Sequence, residues 1–242
     1  MECARLNRYG LLAVSGPDAR DFLHRQLTND IANLAADRAV LAGWCTPKGR
    51  LLASFLVIPS SEGFLLQLAR DLAPTVAKRL SMFILRSKVK IADESDAWAQ
   101  YGIWDRSSQV SGVSWEGEVA TVRVDDGRFV RLGRGLALEA TKPEEAWTLA
   151  EIRAGRPLIT AATQDQFVPQ MVNFEQIGAV NFQKGCYPGQ EIVARAQYRG
   201  EVKRRLKHVQ VPAGVEVKPG QDWNGGIVVD SAAGEALAVM PV

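Results

Sequence analysis

In F-Q-K-G-C-Y-P-G-Q-E-I-V-A-R, residues 182–195, two glycines and a proline crowd around one cysteine. Gly185 and Gly189 can adopt backbone angles closed to other residues, and Pro188 before Gly189 suits the two central positions of a type II turn. A sharp bend is predicted there. Beyond it Ile192, Val193 and Ala196 recur at helical spacing, and Glu191 lies where an acidic side chain favours a helix N-terminus, so a helix is predicted over Gln190 to Tyr198. Cys186 then precedes that N-terminus with Lys184 close by, and dipole and ammonium both favour thiolate over thiol. This makes Cys186 a candidate reactive thiol with Lys184 as its electrostatic partner. The same spacing also suits a small buried hydrophobe, and exposure decides between the two.

The composition sets the frame. With 242 residues, 47% hydrophobic and 23% charged, the chain is long enough for one large domain or two modest ones. No apolar run reaches the roughly 18 residues that span a bilayer, and Met1 to Gly10 lacks the basic-then-apolar layout of a secretory signal, so a cytoplasmic protein without membrane contact is expected. Cys3, Cys45 and Cys186 are scattered and odd in number, which fits neither a disulfide framework nor a zinc pattern. The two histidines, His24 and His208, argue against a histidine-rich metal site, and no metal is expected. A net charge of +2 does not by itself imply nucleic acid.

The motif K-G-C-Y-x-G-Q-E followed by A-R resembles the signature of the YgfZ family, whose members are built like the folate-binding T-protein of the glycine cleavage system, GcvT. Lys184, Gly185, Cys186, Tyr187, Gly189, Gln190, Glu191 and Arg195 are the matching positions. The likeness runs on through F-L-x-x-x-x-T-N-D at Phe22 to Asp30, W-x-x-x-x-I-x-x-G-x-P at Trp147 to Pro157, and Pro169, Asn173, Gly178 and Phe182. It implies an α+β, GcvT-like fold with several small domains around a central folate cavity and a short C-terminal β module. The corresponding division is a folate-binding region over 1–204, with a small inserted sheet at about 93–140, and a barrel-like module over 205–242.

Along the chain, alternation predicts a strand over Arg5 to Ser15 and a helix from Asp18 to Leu27. Strands over Val40 to Cys45, Leu51 to Pro59 and Gly63 to Leu68 precede a helix carrying Leu72, Val76, Leu80 and Phe83, and Lys88 to Ile91 returns to strand. Further strands are predicted over Trp98 to Trp104, Glu118 to Val124 and Arg128 to Leu132. Asp125-Asp126-Gly127 turns between the last two, and a helix over Lys142 to Ala154 follows. From Leu206 to Val242 alternating valines between Gly-containing turns read as a β module.

Several residues carry two readings. Thr28, Asn29 and Asp30 suit a helix end followed by an Asx turn, whereas the resemblance makes them wall of the folate cavity. Trp147 is core by helix position and a ring packed on folate by resemblance, with Tyr9 as a second aromatic contact. Asn173 and Glu175 both offer the paired edges a pterin demands, and the residues do not choose between them. Arg195, Arg199, Lys203, Arg204, Arg205 and Lys207 form a basic run that is a solvated face or a rim steering folate, RNA or protein.

By resemblance the expected role is a folate-binding accessory in assembly or repair of iron-sulfur clusters in client enzymes, including those that modify tRNA. Tetrahydrofolate or a one-carbon derivative is the expected cofactor, and the clients are transient partners. A folate-dependent aminomethyl or one-carbon transferase is the alternative, and an RNA-interaction module the third. Aminomethyl transfer is not expected, because Leu52 and Ala53 occupy the positions of the T-protein's acidic pair and neither can move a proton.

Overall fold

The structure is a computed structural model that describes residues 1–242. In chain order its elements are β1 (Glu2–Arg5), β2 (Tyr9–Ser15), α1 (Ala19–Gln26), β3 (Val40–Cys45), β4 (Leu51–Ser60), β5 (Gly63–Ala69), α2 (Ala73–Ser81) and β6 (Lys90–Asp93). There follow β7 (Trp98–Trp104), β8 (Val113–Glu116), β9 (Val119–Asp125), β10 (Arg128–Arg134), α3 (Glu144–Arg153), α4 (Gln190–Tyr198), β11 (Arg204–Gln210), β12 (Asp222–Trp223), β13 (Gly226–Ala232) and β14 (Glu235–Pro241). They form two compact units that interleave along the chain. One comprises residues 1–22, 32–40 and 56–147, and the other 23–31, 41–55 and 148–242. The 205–242 module therefore lies inside the second unit.

In the first unit β2 pairs antiparallel with β5, Tyr9 opposite Ala69, and with β6, Ser15 opposite Lys90. The second half of β4 pairs with β5, Leu56 opposite Gln67. These strands alternate β-formers with few polar residues, and α2 buries Ala73, Val76 and Leu80. Phe83, expected on the buried face of that helix, lies beyond its end and is exposed.

The other sheet of this unit has the order β1-β7-β10-β9-β8. The single strand expected over Arg5 to Ser15 is thus two strands. β1 pairs with β7 and β2 with β5, because the backbone between them is tied by Leu6 N–H to Gln100 O at 2.9 Å and by Arg70 N–H to Arg8 O at 2.9 Å. Apolar alternation reports burial, not which sheet a strand joins. β8 was absent from the expected elements; its Val-Ser-Trp-Glu gives only one short alternation.

Gly102 on β7 makes room for Trp147. A Cβ there would stand 2.2 Å from Trp147 Cε3, far inside van der Waals contact. Trp147 also meets Trp104 edge to face, with centroids 5.3 Å apart, and carries the Arg128 guanidinium 5.2 Å from its ring.

In the second unit β3 lies beside the first half of β4, and β11-β14-β13-β12 form an antiparallel sheet over Val217, Val228 and Ala236. β11 and β12 are its edges. β12 spans only Asp222–Trp223, too short to close the barrel-like form expected of this module.

The Gly102–Trp147 fit predicts that Trp147→Ala lowers unfolding free energy by about 3–5 kcal/mol. Gly102→Ala should lower it by about 1–3 kcal/mol through overpacking. Denaturant unfolding measures both, and midpoints equal to that of the parent chain would contradict the packing described.

Candidate functional site

The cysteine loop lies wholly in the second unit, and its bend has the predicted form. Gln190 N–H donates to Tyr187 O at 3.1 Å, and Gly189 has φ 80° and ψ 1°, the third-position geometry of a type II turn. α4 starts at the next residue. No side chain fits at 189, because a Cβ would stand 2.4 Å from Thr46 O and 2.6 Å from Gly49 Cα. The loop is thereby seated on the Thr46-Pro47-Lys48-Gly49 turn. Below it Val193 is buried and its carbonyl accepts from Gln170 Nε2 at 2.7 Å.

Upstream, Asn181 Oδ1 accepts from the Gln183 and Lys184 amides at 2.8 and 3.1 Å, an Asx turn that aims Lys184 inward. Its ammonium donates to the backbone carbonyls of His24 and Leu27, the latter at 2.9 Å. These carbonyls end α1, where helical partners run out and the dipole favours a cation. Lys184 is only 8% exposed, and burial lowers its pKa to about 8 against the opposing charges of Asp30 and Cys186. The Tyr187 ring lies 4.8 Å from the ammonium, and burial pushes its phenol up.

Cys186 is exposed, whereas Cys3 and Cys45 are buried and burial pushes the Cys45 thiol up. The reading of Cys186 as a small buried hydrophobe therefore falls away. Gln190 and Glu191 open α4, and Glu191 pairs with Arg195 at 3.6 Å on its exposed side.

Thr28 and Asn29 are structural ties. Thr28 Oγ1 donates to Ala179 O at 2.6 Å and accepts from Gly43 N–H at 2.7 Å. Asn29 Nδ2 donates to Leu41 O and Gly178 O at 2.7 and 2.8 Å, while its oxygen accepts from the Asp30 amide at 2.9 Å. Their donors are thus engaged with backbone carbonyls distant in sequence, and the bond from the Asp30 amide to Asn29 spans one residue, not the two of an Asx turn. The Asp30 carboxylate instead meets His24, with Oδ1 3.3 Å from Nδ1. The sequence uses His24 only as evidence against a histidine-rich metal site, and nothing local in it shows that the ring meets Asp30.

Asn173 sits at φ 57°, and its amide nitrogen donates to Leu206 O at 3.0 Å while its oxygen accepts from Arg205 Nη1 at 3.4 Å. Arg205, read from sequence as part of a basic face, is half-buried and pairs with Glu175 Oε1. Glu175 Oε2 is buried with no hydrogen-bond partner. Of the two residues left open, Glu175 is the one holding an unsatisfied acceptor.

Tyr9 and Trp147 belong to the first unit. Tyr9 is 7% and Trp147 1% exposed. In the first unit Trp147 packs against Gly102 and edge to face on Trp104. Leu52 and Ala53 are buried in β4. On the basic run Arg195, Arg199 and Lys203 are exposed beside Tyr198, which is 69% exposed.

No family model matches the chain. An uncharacterized protein of Haemophilus influenzae is 35% identical over 225 residues, covering 90% of this chain and 76% of its own length. The tRNA-modifying proteins YgfZ of Cronobacter sakazakii and Serratia proteamaculans are each 30% identical. They cover 90% and 94% of this chain and 73% and 79% of their own lengths. Among solved structures, the glycine cleavage system aminomethyltransferase T of Bartonella henselae superposes with a TM-score of 0.72 at 14% identity, over 99% of this chain and 78% of that one. The fold is therefore α+β and GcvT-like.

Lys184 gives the site a pH signature. Lysine ordinarily ionises at 10.5 and Lys184 at about 8, so between these values the unfolded chain holds more protons and stability rises with pH. The cost of burying the ammonium is full below about 8 and is relieved toward 10.5. The melting temperature of the parent chain relative to Lys184→Gln should climb from about pH 7 to about pH 10. A difference independent of pH would rule out the buried ammonium.

Proposed function

The chain belongs to the YgfZ family, and from that premise we propose that it serves tRNA modification as a folate-binding accessory protein for iron-sulfur cluster assembly or repair in client enzymes. The observation that carries this reading is the single exposed thiol, Cys186, on a loop anchored by Gly189 and by the buried Lys184. A thiol so presented meets a partner protein, a persulfide or a cluster. Iron-sulfur clusters take about four thiolates. The buried Cys3 and Cys45 do not join Cys186, so the client supplies the remaining ligands to a cluster that is cargo here.

The residues of the second unit fit a reduced folate. Glu175 Oε2 is an acceptor buried without a donor, and a pterin presents adjacent N–H donors that would satisfy it. Asn173, tied to the same Arg205, would orient that carboxylate. When bound, the folate supplies a one-carbon unit or a redox-active pterin. The chain's part is to orient it and keep water from it. With Leu52 and Ala53 in place of the acidic pair, proton transfer at that position is lost, which favours a binding role over aminomethyl transfer.

A second reading is favoured by Tyr198, an exposed aromatic among Arg195, Arg199 and Lys203. Interleaved cations and a ring suit a single-stranded RNA segment, and the relatives are named for tRNA. Tyr198→Ala should weaken tRNA binding about 5- to 100-fold if a base stacks there, and binding should fall steeply with salt. No salt-sensitive affinity in the purified protein would remove this reading.

For the main reading, Cys186→Ala should retain tetrahydrofolate binding by calorimetry yet fail to restore a tRNA-thiolating cluster enzyme in a deletion strain. Glu175→Gln should weaken folate binding, on the order of tenfold, by replacing a charged acceptor with a neutral one. Full restoration by Cys186→Ala, or no heat of tetrahydrofolate binding to the parent chain, would overturn the corresponding half.

A further inference from the structure

We infer that the first unit carries a binding cleft for an aromatic α-amino acid. The cleft encloses about 660 Å³, within the range of small-molecule sites, and is lined by residues from both sheets of that unit. Glu175 and Cys186 belong to the second unit and take no part in it.

The floor follows from strand register. Ser60 is opposite Gly63, Gly63 opposite Ser15, and Ser15 opposite Lys90, so these four residues stand in one row across β4, β5, β2 and β6. Directly opposed residues of antiparallel strands share a face. Ser60, Ser15 and Lys90 all line the cleft, so the row brings two hydroxyls and an ammonium to it. Gly63, at φ 145°, keeps the row open between the serines, because a Cβ there would stand 2.3 Å from Val14 O. Lys90 is exposed and forms no ion pair. The next row on this face, Ala13 with Leu65 and Ala92, is apolar.

The wall is aromatic. Trp98 of β7 and Trp115 of β8 meet edge to face with centroids 6.3 Å apart. Trp115 Nε1 donates to Pro59 O at 3.1 Å, whereas Trp98 Nε1 is buried and has no partner. A buried indole N–H without an acceptor is uncommon, and a ligand oxygen would satisfy it. The Arg134 guanidinium lies 5.5 Å from the Trp98 ring and pairs with Glu94 at 2.8 Å, so those two charges offset each other.

The lining charges that stay unpaired are Lys90, Glu62 and Glu118. Glu62 lies in the turn from β4 to β5, two residues after Ser60, and Glu118 in the turn from β8 to β9. A lone anion would face both acids, and a lone cation would face Lys90. The head of an α-amino acid meets both signs, its carboxylate toward Lys90, Ser15 and Ser60 and its ammonium toward Glu62. Its ring then covers the apolar row against the two indoles, at small cost in side-chain entropy.

The test is saturation-transfer NMR on the full chain with L-phenylalanine, L-tyrosine and L-tryptophan as probes. Each is compared with its analogues lacking the ammonium or the carboxylate, 3-phenylpropionate and phenethylamine in the case of phenylalanine. At least one amino acid should bind with a millimolar or tighter Kd, and its two analogues about tenfold more weakly. Lys90→Gln should weaken that amino acid about tenfold and leave the amine analogue no weaker, while Glu62→Gln should weaken it and leave the acid analogue no weaker. Both positions are exposed, so both variants should melt with the parent chain. Failure of all three amino acids to bind would overturn the cleft's assignment. So would analogues that bind as well as the amino acid, or variants that bind every probe as the parent does. Tetrahydrofolate binding and the cellular test of Cys186 are read separately, so the two ideas fail independently.

Discussion

The ammonium of Lys184 on the carbonyls that close α1 is the contact on which the placement of the Cys186 loop depends. A helix C-terminus presents acceptors that no residue of the helix can satisfy, and here they are met by a lysine from a loop some 160 positions later in the chain. The contact works in both directions. It caps α1, fixing His24 and the Thr28-Asn29-Asp30 segment. It also draws the backbone of Lys184 inward, which leaves the neighbouring Cys186 on the outside. The low polarity that strengthens those hydrogen bonds is also what makes the buried charge costly, hence its depressed pKa.

Two glycines set the tolerances of the molecule at different points. At Gly189 the backbone itself is the contact surface, pressed against the Thr46 carbonyl and Gly49, so the loop is held by shape before any side chain acts. At Gly102 the space a side chain would fill is taken by Trp147, and the indole becomes part of the unit's core. The same residue type thus lets two backbones meet in one unit and makes a socket for packing in the other.

What could be read from the chain followed from how local each cause is. The Pro188-Gly189 turn, the start of α4 and the strands from Val40 to Ala69 depend on neighbours in sequence, and they form where propensity and alternation place them. The break between β1 and β2 depends on which sheet each strand finds, and alternation carries no such information. The same holds at the site. The turn around Cys186 could be read locally, but the exposure of its thiol and the proximity of His24 to Asp30 and to Gly185 are products of tertiary convergence. Trp147 was read through a family likeness, and its burial follows from a glycine on β7 that the likeness does not register.

The cysteine inventory has a consequence for oxidative stress. Sulfenylation of Cys186 would find no resolving sulfur at the protein surface, since the other two thiols are enclosed and Cys3 Sγ donates to the Glu139 carbonyl. Repair of that lesion must therefore arrive from outside, as a small-molecule thiol or a docking protein. Chronic peroxide would drive the sulfur toward irreversible acids rather than into an internal bridge.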